Sequence, residues 1–123
     1  METRRKDTGR IGEALAADYL EGLGHKVIER NWRSGHLETD IVTIDKNGLH
    51  FVEVKTRIAP AAADPLENIT RSKRRNMANA ARHYLQEHSC GDVEIFLDVV
   101  TVLLDGECAD IEYYPQAVIP IYN

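Results

Sequence analysis

Asp40, Glu53 and Lys55 are the residues whose types and spacing point to chemistry. Two carboxylates and an ammonium on one rigid face can hold a divalent cation and orient a water beside it. Asn47-Gly48, between two runs rich in β-branched and apolar residues, is the feature that would bring them together, because it signals a tight hairpin. With Asn47 and Gly48 as the central turn residues, Lys46 pairs with Leu49 and Asp40 stands across from Lys55. Glu53, two residues before Lys55, shares its face. Val42, Ile44 and Phe51 continue that face toward the turn, so it is not simply a wet surface. Hydrolysing a phosphodiester requires that charge on the phosphate be neutralised, a water be deprotonated and aimed, and the leaving oxygen be stabilised. Asp40 and Glu53 are the natural oxygen ligands for a hard cation, and the Val54 carbonyl can complete the shell. Lys55 would orient the water or stabilise developing negative charge. A cross-strand ion pair on a solvated face is the plainer alternative.

Other acids bear on this reading. Glu13 lies at the flank of a helical apolar face, from which a carboxylate can reach a neighbouring sheet; a first-turn acid favoured by the helix dipole is the alternative. Glu38 shares the face of Asp40 two residues earlier. Asp98 sits inside a long apolar run, where an unpaired charge is costly, so it needs a partner and reads as structural. Other constellations fail. The histidines at 25, 36, 50, 83 and 88 show no zinc-ligand spacing. There is no Gly-rich phosphate loop and no recognisable Ser or Cys nucleophile motif. Aromatics are too sparse for a base-stacking platform.

The elements that must position these residues follow from periodicity. Ile11, Leu15, Tyr19 and Leu23, with Ala16 and Leu20 beside them, predict a helix over 9–23 that Gly24 stops. Val27 to Trp32 reads as a first strand, and 38–45 with 49–57 as the hairpin. Residues 59–65, rich in Pro and Ala, read as a mobile loop. A second helix is expected from an N-cap near Thr70 to His88, with Met77, Ala80, Ala81, Tyr84 and Leu85 buried. Lys73 lies on its inward side and can project toward the sheet. Residues 93–104 read as a central strand and Ile111 to Tyr114 as a short partner, followed by an irregular tail punctuated by Pro115 and Pro120. The order α, three strands, α, two strands predicts a single α/β domain spanning 1–123, with a mixed five-stranded sheet flanked by helices.

A chain of 123 residues can bury a core without disulfides or structural metal. Its two cysteines, Cys90 and Cys108, fit a reducing cytoplasm. No apolar run reaches the roughly 18 residues of a membrane span, and the N-terminus has no apolar signal-like segment. The net charge is −5, but it is unevenly spread. All 15 Lys and Arg lie in residues 1–82, with 12 of the 20 acids, whereas 83–123 carry eight acids and no Lys or Arg. Two basic clusters stand out: Arg4, Arg5, Lys6 and Arg10, then Arg71, Lys73, Arg74 and Arg75. They are candidates for a polyanion-facing surface if the fold segregates the charges.

Several segments together resemble the small bacterial YraN family. They are Gly12-Glu13-Ala14-Leu15-Ala16-Ala17-Asp18-Tyr19-Leu20, Arg30-Asn31-Trp32-Arg33, Glu38-Thr39-Asp40-Ile41 and Phe51-Val52-Glu53-Val54-Lys55-Thr56-Arg57. Lys73 with Ala80-Ala81 and Tyr84-Leu85, and Phe96-Leu97-Asp98-Val99-Val100, extend the match over nearly the whole chain. The family is similar to archaeal Holliday-junction resolvases, within the PD-(D/E)xK (restriction-endonuclease-like) nuclease fold. The resemblance implies an active site of Asp40, Glu53 and Lys55, with Glu13 supplied by the first helix. It also implies Mg²⁺ or Mn²⁺, and a homodimer able to meet two-fold branched DNA. The chain departs from the family where Leu37-Glu38-Thr39-Asp40 stands for the usual Gly-Glu-Ile-Asp.

The leading expectation is a metal-dependent endonuclease acting on DNA, including branched or repair intermediates. Asp40, Glu53, Glu13 and the Val54 carbonyl would hold the metal. Arg57, Lys73, Arg71, Arg74, Arg75 and Arg10 would contact phosphates. The rivals are a non-catalytic nucleic-acid-binding module that keeps the fold and a protein-interaction subunit using the acidic C-terminal third.

Overall fold

Alternating apolar runs and two amphipathic stretches give the order α1 (Glu2–Gly22), β1 (Lys26–Ser34), β2 (Leu37–Asp45), β3 (Gly48–Ile58), α2 (Arg71–His88), β4 (Ile95–Asp105) and β5 (Cys108–Tyr114). The structure is a computed structural model that describes residues 2–61 and 69–118, with side chains from residue 7 onward. Most of the predicted loop over 59–65, the end of the tail and the side chains of Arg4, Arg5 and Lys6 lie outside the described residues. The strands form one sheet in the order β1-β2-β3-β4-β5. β3 and β4 are parallel, joined through α2, and every other neighbour pair is antiparallel. The protein is thus α/β with a mixed five-stranded sheet, matching the nuclease-like core that the resemblance implies.

Because successive strand residues point to opposite faces, each hairpin strand serves two cores. Val42, Phe51, Leu97 and Val99 pack under Met77, Ala78, Ala81 and Tyr84 of α2. Tyr84 takes Phe51 and Trp32 edge-on, with ring centroids 5.6 and 5.4 Å away. Ile41, Val52, Val100 and Val102 pack on the opposite face under Ala16, Ala17 and Leu20 of α1. Each such buried aliphatic or aromatic side chain contributes about 1.5–3 kcal/mol, so both helices are held firmly against the sheet.

Two sequence expectations are corrected. The hairpin register is Asp45↔Gly48, Ile44↔Leu49, Thr43↔His50, Val42↔Phe51 and Ile41↔Val52. Lys46 and Asn47, not Asn47 and Gly48, are therefore the central turn residues. The Asp45 carboxylate causes the shift by accepting from the N–H groups of Asn47 and Gly48, at 2.9 and 3.2 Å. Gly48 is needed in the strand itself, since a Cβ there would lie 2.3 Å from the Glu94 carbonyl oxygen. The register moves by two residues, so the faces are kept but the partners change.

The second correction concerns α1. Ile11, Tyr19 and Leu23 are exposed, and the buried face is Gly12, Ala16, Ala17 and Leu20. Small residues win because they let the helix backbone approach the sheet. A Cβ on Gly12 would fall 1.8 Å from Thr56 Oγ1. α2 follows its expected stripe, with Ala78 buried as well, behind an N-cap in which Thr70 accepts from Lys73 N–H at 3.1 Å.

Candidate functional site

At the open end of the β2–β3 hairpin the backbone ladder stops at Ile41↔Val52. Counting on, Asp40 faces Glu53 rather than Lys55, which corrects the sequence pairing. Asp40 Oδ2 takes over where the ladder ends, accepting from Val54 N–H at 2.8 Å. The N–H and carbonyl of one strand residue point to the same edge, so the Val54 carbonyl also faces β2 there.

Burial, then the neighbouring Glu53 charge, push the Asp40 carboxyl up to about 7 against the stabilising Val54 N–H; Glu13 adds a smaller upward push and Lys73 a downward one. Glu13 is half-buried on α1, one residue beyond the Gly12–Thr56 approach, and acts on Asp40 through its field. The first helix therefore brings a third carboxylate to the sheet from the opposite face. Carboxylate oxygens are the donor type that Mg²⁺ or Mn²⁺ takes, but Glu13, Asp40 and Glu53 are not among the described residues whose ligand atoms gather within 4.8 Å of one another.

The cations are graded around this set. Lys73 reaches from the first turn of α2 and places Nζ 2.7 Å from Glu53 Oε1. Desolvation would lower the Lys73 pKa, but the Glu53 hydrogen bond and charge raise it above the ordinary value. Lys73, expected at phosphate, is thus engaged by an acid of the site. Lys55 shares the Glu53 face one step further along β3. Desolvation lowers its pKa, and the charges of Arg57 and Lys73 lower it further against the pull of Glu53. Arg57 is half-buried on the same face of β3. Arg71, Arg74 and Arg75 follow the α2 N-cap, and Arg71 is exposed while the other two are partly buried. Arg10 is exposed on α1. Glu38 is exposed and pairs with Arg33 at 3.4 Å.

Comparison with known proteins places this arrangement in a lineage. The profile of the uncharacterised protein family UPF0102 matches residues 12–102, which include Glu13, Asp40, Glu53, Lys55 and Lys73. The chain belongs to the uncharacterised protein family UPF0102, the YraN family. A UPF0102 protein of Nitratidesulfovibrio vulgaris is 38% identical over 117 residues, covering 95% of this chain and 87% of its own. One from Beutenbergia cavernae is 44% identical over 101 residues, covering 81% of this chain and 86% of its own. One from Chlorobium chlorochromatii is 44% identical over 88 residues, 68% of each chain. No helix among the described residues of this family member is long and apolar enough to cross a membrane.

Sequence reasoning missed a second polar centre in this UPF0102 chain, at the turn end of the same hairpin. His50 Nδ1 lies 2.6 Å from Asp98 Oδ2, and His50 Nε2 lies 2.9 Å from Asp45 Oδ1. Asp98, fully buried, also accepts from Tyr113 Oη at 2.5 Å and from Gln116 N–H at 2.9 Å. These are the partners that its place in an apolar run demanded. Desolvation and then the Asp98 hydrogen bond and charge drive the Tyr113 hydroxyl's pKa far upward. His25, just past the end of α1, joins through Thr43 Oγ1 at 2.7 Å and Asp45 Oδ2 at 3.6 Å. Desolvation and then the His50 charge lower the His25 pKa. Although desolvation would raise Asp45, hydrogen bonds from His50, Asn47 and Gly48 hold it below the usual carboxylate range. Linear spacing gave no sign of the His25–His50 approach. The hints available were the unpaired Asp98 and the position of His50 on the α1 face of β3.

Proposed function

We propose that this protein is a Mg²⁺- or Mn²⁺-dependent endonuclease that hydrolyses phosphodiester bonds in DNA. Branched or repair intermediates in the cytoplasm are the proposed substrates, and a homodimer the proposed form. The observation that carries this reading is the desolvated Asp40–Glu53 pair at the point where the β2–β3 ladder ends, with the Asp40 carboxyl raised to about 7. Lys73 offsets Glu53 at 2.7 Å, and a divalent cation is the stronger complement that a partly buried pair of oxygen donors selects.

Asp40, Glu53, Glu13 and the Val54 carbonyl would hold the ion, whose chemistry is to neutralise charge on the phosphate and stabilise the leaving oxygen. Lys55 sits beside Glu53 with its pKa lowered, so it orients the attacking water and stabilises developing negative charge. Lys73, whose Nζ is 2.7 Å from Glu53 Oε1 at the start of α2, would contact a phosphate oxygen. The start of α2 carries no acid in its first turn. Its helix dipole therefore adds to Arg71, Arg74 and Arg75 in attracting the backbone, with Arg57 and Arg10 extending the track.

The test is cleavage of branched, flapped and single-stranded DNAs with Mg²⁺ or Mn²⁺, comparing wild type with an Asp40→Ala variant of matched fold. Cleavage that is lost in the variant supports the reading, and equal cleavage by both rejects it. A second reading, a non-catalytic nucleic-acid-binding module, draws on the Lys73–Glu53 ion pair, which neutralises one acid without any metal. It predicts DNA retention with no turnover, and retention unchanged by Lys55→Ala.

A further inference from the structure

We propose that His25, Asp45 and His50 form a second cation site, selective for a divalent transition metal of the zinc class. Each residue offers one ligand atom, and these atoms all lie within 4.8 Å of one another. Three ligands arranged tetrahedrally at about 2.0–2.2 Å from an ion stand roughly 3.3–3.6 Å apart. His50 Nε2 lies 2.9 Å from Asp45 Oδ1 and His25 Nε2 3.6 Å from Asp45 Oδ2, so the two imidazoles face the two oxygens of one carboxylate at near that spacing.

The hydrogen bonds orient the rings for this task. His25 Nδ1 is committed to the Thr43 hydroxyl and His50 Nδ1 to the Asp98 carboxylate. His50 therefore donates from Nδ1, His25 can donate from Nδ1 to the hydroxyl, and both turn Nε2 toward Asp45. A carboxylate behind a histidine fixes its tautomer and strengthens it as a ligand, and Asp98 does this for His50 while Tyr113 and Gln116 N–H hold Asp98. Phe96 stacks on His50 at 4.7 Å with the rings 21° from parallel, and Tyr113 meets His25 edge-on at 5.7 Å. These contacts hold both rings in place before any ion binds.

The contact between His50 Nε2 and Asp45 shows what the ion would replace. With Nδ1 donating to Asp98, Nε2 meets Asp45 favourably in two ways: through a shared proton or through a shared cation. A divalent ion takes the place of that proton and gains His25 as a third ligand. The side chains of His25 and His50 are 5% and 6% exposed, and that of Asp45 is 14% exposed. Access therefore runs past Asp45 at the hairpin turn. Imidazole nitrogens suit zinc, nickel or copper better than Mg²⁺, which separates this site from the all-oxygen set at the other end of the hairpin. The ion would tie the end of α1 to the β2–β3 turn, and the proposal does not depend on nuclease activity.

Titration calorimetry of metal-free protein with Zn²⁺ tests the site. The expected result is one Zn²⁺ per chain, a raised melting temperature, and binding weakened at least tenfold by His25→Gln and Asp45→Asn. Asp40→Asn should leave that binding in place. X-ray absorption at the zinc edge of the wild-type complex needs no variant to fold. Scattering from two imidazoles and an oxygen ligand supports the proposal. Absence of saturable binding, sulfur ligation through Cys90 or Cys108, or fewer than two imidazoles overturns it.

Discussion

The two ends of the β2–β3 hairpin carry polar centres of opposite character. At the turn end His25, His50, Tyr113 and backbone N–H groups answer the partly buried Asp45 and the fully buried Asp98, so each acid meets several partners. At the open end Asp40 is answered, among the described residues, by the Val54 N–H and faces Glu53, which Lys73 partly neutralises. Strand pairing explains the contrast. Where the ladder is intact, side chains from neighbouring strands interlock and saturate one another. Where it ends, the Asp40 carboxylate replaces a backbone partner and the acid it faces is paired to a lysine. In the proposed function the open end is where Mg²⁺ or Mn²⁺ and the DNA would bind, and its like-charge pair carries a cost in stability.

The comparison can be broken most severely at Asp40. Asp40→Asn should lower DNA cleavage by at least about 10²-fold, because it removes charge from the cation ligand set, and a variant retaining full turnover would erase the distinction. Lys55→Ala should lower kcat on the order of 10²-fold while leaving Mn²⁺ affinity within a few-fold, as single-turnover kinetics beside metal titration would read.

Stability sharpens the contrast next. The Asp40 carboxyl is raised to about 7 in the fold and titrates near 3.9 when unfolded. Below the unfolded value both states are protonated and nothing is lost. As pH rises from there through about 7, the unfolded state ionises first and the fold loses stability, and the loss is complete above the folded pKa. Metal-free Asp40→Asn should therefore match wild type at about pH 4 and exceed it by on the order of 1–3 kcal/mol at about pH 8, measured by urea unfolding. Equal stability at both pH values would mean that Asp40 is not desolvated. The smallest effect belongs to Lys73→Met, which removes the ion that competes for Glu53. Mn²⁺ affinity should rise a few-fold while the salt dependence of DNA binding falls by about one phosphate contact. A fall in Mn²⁺ affinity would show that Lys73 supports the cation site instead.

Much of this architecture was legible in the sequence because it rests on patterns local to each element. The alternation of Leu37–Asp45 and Gly48–Ile58, the Thr70 cap and the Met77–Ala81–Tyr84 stripe each point to one element and one face. Parity placed Asp40, Glu53 and Lys55 on a common face even with the turn misassigned, since a two-residue shift preserves facing. The exact partner was not legible, because the Asp45 side chain chose the turn residues through its own hydrogen bonds. Ala16 and Leu20 were legible on α1, but Ile11, Tyr19 and Leu23 were read in their company and Gly12 was not, because Gly12 carries no hydrophobic signal. The value of Gly12 lies in close approach to Thr56, which is a tertiary fact. The His25–His50 pairing was invisible for the same reason: 25 residues of chain separate them, and only the folded sheet brings their rings to 4.5 Å.

Anomalous diffraction from crystals grown with Mn²⁺ tests the central claim most directly. The account predicts a manganese peak coordinated jointly by Asp40 and Glu53 at the open end of the hairpin, with Lys73 displaced from Glu53. An intact Lys73–Glu53 ion pair with no manganese between the two acids, at saturating Mn²⁺, would contradict it.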